Sequence, residues 1–70
     1  MTQYIVVYER TPRSYGAYVP DLPGCVAVGK TRKEVEQLIR KAIALHIEAI
    51  KEDGLPVPEP SAWADLVEVA

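Results

Sequence analysis

The sequence predicts an α+β domain of order β-β-β-α-β, with one long helix packed on one face of a sheet of three to four strands. Three observations carry this. Short runs of β-branched and aromatic residues, broken by glycine and proline, fill the first 29 positions. A single stretch of about 22 residues then repeats apolar residues at helical spacing. A proline-rich segment separates that stretch from one last short apolar run. At 70 residues, one domain covering residues 1–70 is expected.

"QYIVVYE" (Gln3 to Glu9) reads as the first strand. Pro12, Ser14 and Gly16 give the next stretch a turn composition, and "SYGAYVP" reads as a second strand ended by Pro20. In "PDLPGC", Asp21 and Gly24 are expected to make a turn, Pro23 to stiffen it and Cys25 to return the chain to the sheet. "CVAVG" is a short third strand closed by Gly29. Thr31 and Glu34 form a T-x-x-E capping box, which contributes about 1 kcal/mol to a helix start. Val35, Leu38, Ile39, Ala42, Ile43, Ala49 and Ile50 recur at helical spacing, and Gly54 suits the position just past the helix end. Pro56, Pro58 and Pro60 favour an extended crossing without ladder hydrogen bonds. "WADLVEV" reads as a last strand, at an edge.

One helix covers only one face of a small sheet. Ile5 and Val7 point one way along the first strand, and Tyr4, Val6 and Tyr8 the other. The aliphatic set of Ile5, Val7, Val26, Val28, Val67 and Val69 is assigned to the helix. That leaves Tyr4, Val6 and Tyr8, with Tyr15 or Tyr18, uncovered. Such a face is either an interface or a second side half-shielded by the proline-rich tail and Trp63.

Little in the chain suggests chemistry. His46 falls on the apolar side of the helix and reads as a satisfied core histidine. One cysteine cannot form an internal disulfide, and one His with one Cys falls short of a metal set, so no metal or cofactor is expected. Cys25 reads as a small buried apolar residue. Glu9, Asp21 and Glu34 are the acids near the sheet, but Glu34 is explained by the cap and Asp21 by an Asx-type turn. No phosphate-binding glycine motif is present.

Apolar residues make up 49% and charged residues 26%, as in an ordinary globular protein. With no membrane-length apolar run and no signal-peptide pattern, the expected location is cytoplasmic. The net charge of −2 argues against direct nucleic-acid binding. It divides unevenly: residues 1–41 carry +3 and residues 42–70 carry −5. The acids of the second part, Glu59 and Asp65 among them, could steer a basic partner. Lys30, Arg32 and Lys33 at the helix start read as a solvated surface.

"YVPDLPGC", then "GKTRKEV", then "AIALHIEAIKEDGLPVPEP" together resemble the HicB family of antitoxins from bacterial toxin–antitoxin pairs. The likeness runs from Tyr4 to about Pro60. It implies a partial RNase H-like fold without nuclease residues. It also implies homo-oligomers, and binding to HicA, a small basic mRNA-cleaving toxin with a double-stranded-RNA-binding-like fold. The family has no shared catalytic residues to carry over. Pro20, Asp21, Leu22, Pro23, Gly24 and Cys25, the Gly29 and Thr31 turn, and Gly54, Pro58 and Pro60 correspond to it and read as fold-defining. Many HicB proteins add a DNA-binding domain after this region, whereas this chain reads as a stand-alone domain. Its basic "GKTRKE" differs from the acidic or neutral residue common there. The expected function is therefore a non-enzymatic antitoxin domain, with Tyr4, Val6, Tyr8, Tyr15, Tyr18, Glu59 and Asp65 as candidate partner contacts. A solitary homo-oligomeric interaction module is the alternative. A nucleic-acid binder or remnant nuclease using Lys30, Arg32, Lys33 and Glu9 or Asp21 ranks third.

Overall fold

In a computed structural model, which describes residues 2–70, three short strands run antiparallel: β1 (Val7–Arg10), β2 (Tyr15–Tyr18) and β3 (Val26–Gly29). They lie in the order β1-β2-β3, and the helix α1 (Arg32–Glu52) follows. Two rows of side chains cross the sheet on the helix side: Tyr8, Ala17 and Ala27, then Arg10, Tyr15 and Gly29. The opposite side carries Val7, Tyr18 and Val26, then Glu9, Gly16 and Val28.

The helix lies over β2 and β3. Its Val35 and Ile39 pack with Ala17, Val19, Leu22 and Cys25 to form the buried core. Tyr4, Val6, Tyr15, Ala27, Ala42, Ile43 and Ile47 pack around it, partly buried.

This reverses the expected faces. Val26 and Val28 point away from the helix and are 62% and 67% exposed, whereas Tyr4, Val6 and Tyr15 pack against the core. The reason is steric. A helix can approach a sheet closely where the facing residues are small, and Ala17, Ala27 and Gly29 make such a floor. A Cβ added at Gly29 would stand 3.0 Å from the Val35 nitrogen, so the helix rests almost on the backbone there. Valines in that row would hold it off.

The expected fourth strand is also corrected. Residues 55–70 form neither helix nor strand, and "WADLVEV" pairs with nothing in the sheet. Trp63, Leu66, Val67 and Val69 are exposed. A strand-like sequence becomes a strand only where an edge accepts its hydrogen bonds. The first strand is likewise shorter than expected, because β2 offers partners only to Val7–Arg10.

Both helix ends follow the sequence. Thr31 Oγ1 accepts the Glu34 N–H at 3.1 Å. The Glu34 carboxylate turns back to accept the Lys30 N–H at 3.2 Å, one residue before the usual capping-box donor. At the other end Gly54 has φ of 71°, its N–H donates to the Lys51 carbonyl, and Leu55 N–H donates to the Ile50 carbonyl. That pair of bonds is a Schellman motif, and it turns the chain off the helix. His46 is half-buried and lies outside the core cluster, so the expected core histidine is instead a flanking one.

Candidate functional site

The "PDLPGC" loop joins β2 to β3 and closes on itself. Val19 N–H donates to the Cys25 carbonyl, Leu22 N–H to the Val19 carbonyl, and Cys25 N–H to the Leu22 carbonyl. Gly24 has φ of 84°, a left-handed conformation that glycine adopts without strain. The loop drops Leu22 and Cys25 into the core. Burial raises the Cys25 thiol pKa, which keeps it protonated and unreactive.

Asp21 has a different task from the local turn expected of it. Its carboxylate accepts the Ser61 N–H at 3.2 Å, the Ser61 hydroxyl at 2.8 Å and the Ala62 N–H at 3.1 Å. A residue of the β2–β3 loop thus clasps the segment beyond the helix, 40 positions away. Tyr4 adds a second tie, donating its hydroxyl to the Pro58 carbonyl at 2.6 Å. Pro58 therefore does more than stiffen the crossing, because its carbonyl is the anchor point. An Asp clasping a distant backbone leaves no spacing signal, so single-sequence reasoning had no means of finding it.

The hydrogen bond from the Ala62 N–H is the main cause that lowers the Asp21 pKa below its ordinary 3.8, followed by the Ser61 hydroxyl. The clasp's contribution is thus complete above that ordinary value and is lost as the pH falls through the lowered one. Asp21→Asn keeps the shape but replaces one carboxylate oxygen with a donor facing N–H groups. The expected result is loss of amide-exchange protection at Ser61 and Ala62, with little change in the helix. Unchanged protection at both amides would sink the clasp.

Among the described residues, the sheet and helix leave two surfaces open to a partner, besides the exposed segment after the helix. The first is the open sheet face, where Tyr18, Val26 and Val28 stand exposed beside a half-buried Val7. Of the tyrosines expected at an interface, Tyr18 lies there, Tyr8 is exposed on the helix side, and Tyr4 and Tyr15 serve the core. The second is a cleft of about 260 Å³ between β1 and the start of α1, lined by Tyr8, Glu9, Arg10, Tyr15, Arg32, Val35 and Glu36. Glu59 and Asp65 are exposed on the segment after the helix. Asp21 and Glu34 are occupied by the clasp and the cap, and Glu9 lines the cleft.

A family model described as the HicB-like antitoxin of bacterial toxin–antitoxin systems matches residues 4–69. The chain belongs to the HicB-like antitoxin family. A solved chain of a HicA3 and HicB3 toxin–antitoxin complex superposes on this HicB-like chain with a TM-score of 0.70 at 32% identity. The match covers 84% of this chain and 70% of that one. A UPF0150 protein of Thermoplasma acidophilum is 34% identical over 62 residues, 89% of this chain and 90% of its own length. A 14.9 kDa protein of Haemophilus phage HP1 is 36% identical over 56 residues, and this HicB-like chain spans only 42% of its length. Three antiparallel strands followed by one long helix are thus the shared frame. Among the described residues no helix is long and apolar enough to cross a membrane.

Proposed function

We propose that this HicB-like chain is a non-enzymatic antitoxin that binds and neutralises a small HicA-type mRNA-cleaving toxin. The family match across residues 4–69, joined to the likeness to a chain of a toxin–antitoxin complex, supports the reading. The open face supplies an apolar contact in Tyr18, Val26 and Val28, the kind of patch that marks a protein interface. The −5 charge of residues 42–70, to which Glu59 and Asp65 contribute, favours association with a basic partner.

The test is an RNA-cleavage assay with a HicA-type toxin and the purified chain. Cleavage is expected to stop at equimolar chain, and association is expected to slow as salt screens the acidic part. The chain alone is expected to leave RNA intact with or without divalent cations. Toxin activity undiminished by excess chain would overturn the antitoxin reading. Cleavage by the chain itself would overturn the non-enzymatic part.

A further inference from the structure

The cleft between β1 and the start of α1 has an aromatic floor and a cationic end. It stays open because the helix lies over β2 and β3 and leaves β1 uncovered. Strand pairing fixes its layout. Arg10 pairs with Tyr15 and Tyr15 with Gly29, so this row leads to Arg32 in the first turn of the helix. Arg10 and Arg32 therefore line the same end of the cleft, one from each wall. Tyr8 and Tyr15 form the floor, Tyr8 46% exposed and Tyr15 packed against the core. Glu36 stands one helical turn beyond Arg32, about 6 Å along the axis. Glu9 alternates to the other side of the sheet, which leaves Glu36 as the acid that faces in. Asp21 and Glu34 are engaged by the clasp and the cap, whereas among the described residues no hydrogen bond engages the side chains of Arg10, Arg32 or Glu36.

We propose that this cleft binds one nucleoside 5′-monophosphate, with guanine the preferred base. Each part of the ligand has its counterpart on the walls. The phosphate is an anion with several acceptor oxygens, and two guanidinium forks from two elements match it with paired, charge-assisted hydrogen bonds. The dipole of the helix start adds to the same end. The base is planar and stacks on a tyrosine face. The Glu36 carboxylate only accepts, and guanine offers it two adjacent donors, N1–H and the 2-amino group, where adenine sets a donor beside an acceptor. The distance from Arg32 to Glu36 is the kind of gap that a sugar bridges. A cleft of about 260 Å³ lies just below the range of about 300–1,000 Å³ that suits drug-sized ligands, so it has room for one nucleotide and not for a run of them. The net charge of −2 does not oppose an anion here, because every side chain that lines the cleft belongs to the part of the chain that carries +3. This inference does not rest on the antitoxin reading.

Titration of the isotope-labelled chain with GMP, followed by amide shifts, is the test. Saturable shifts are expected at residues 8–10, at Tyr15 and at residues 32–36, with the far end of the helix unmoved. GMP is expected to bind about tenfold more tightly than guanosine or inorganic phosphate, since each of those fills half the site. Arg10→Gln is expected to bring GMP down to the level of guanosine. Glu36→Gln gives the base a donor beside an acceptor, so the preference is expected to turn from GMP toward AMP. Lys51→Gln removes the same charge as Arg10→Gln at the other end of the helix and is expected to change nothing. None of the three side chains is buried, so all three variants are expected to keep the helical circular dichroism. The same chemistry comes as a free nucleotide or as the phosphorylated end of a strand. A 5′-phosphorylated oligoribonucleotide that begins with guanosine separates them: binding tighter than that of GMP assigns the strand end, and exclusion assigns the free nucleotide. No saturable shift at millimolar GMP, shifts spread equally over Arg13 and Lys41, or an equal loss in Lys51→Gln would overturn the site. A base preference unmoved by Glu36→Gln would overturn the choice of guanine.

Discussion

Leu22→Ala is expected to leave much of the chain unfolded at 37 °C. Leu22 is 0% exposed and is the residue by which the "PDLPGC" loop enters the core beside Val35 and Ile39. Truncating a buried leucine costs about 2–5 kcal/mol, the transfer loss plus the cavity. A domain of this length has about 4–10 kcal/mol in total, at roughly 0.05–0.15 kcal/mol per residue. Among the described residues the buried core is six side chains, so there is little around the cavity to collapse into it. Urea unfolding followed by helical circular dichroism measures the loss. Pro23→Ala, one position along on an exposed site, is the comparison and is expected to move the midpoint far less. A Leu22→Ala midpoint within error of wild type would show that the loop is not a core element.

Gly29→Ala is the second large effect, and Gly16→Ala is its internal control. An added Cβ at Gly29 would meet the Val35 nitrogen at 3.0 Å and Glu34 Oε1 at 3.1 Å. The nearest atom is backbone and cannot rotate away, so the helix start must lift or the cap must loosen. Overpacking of this kind costs about 1–3 kcal/mol. Gly16 lies on the open face, where the nearest atom is the Ala27 carbonyl oxygen at 3.9 Å. A methyl there meets no obstacle and replaces a residue that weakens strands, so stability is expected to hold or rise. Equal urea midpoints for the two variants would refute the close approach of helix to sheet.

That close approach also explains where sequence reading failed. Alternation along "QYIVVYE" and "CVAVG" correctly separates two faces, but period alone does not say which face the helix takes. Aliphatic bulk suggested Val26 and Val28. Ala17, Ala27 and Gly29 decided it, since small residues admit a backbone that large ones exclude. The small-residue floor was legible in principle, for Ala17 pairs with Ala27 across β2 and β3 and Gly29 follows two positions on, on the same face of β3. The same trade moved Tyr4 and Tyr15 from a supposed interface to the margin of the core, and left Tyr18 on the open side.

Local rules alone determined the element order through the helix, the Thr31 cap, the Gly54 exit and the Gly24 turn, because each depends on a few neighbouring residues and their φ/ψ preferences. The motif order in the chain also pointed to the HicB-like family before any fold was in view. Only the tertiary structure decided which face is covered, that Asp21 clasps Ser61 and Ala62, and that "WADLVEV" stays unpaired. Those outcomes depend on which distant surfaces meet, and a strand, a clasp or an interface exists only when its partner is in place.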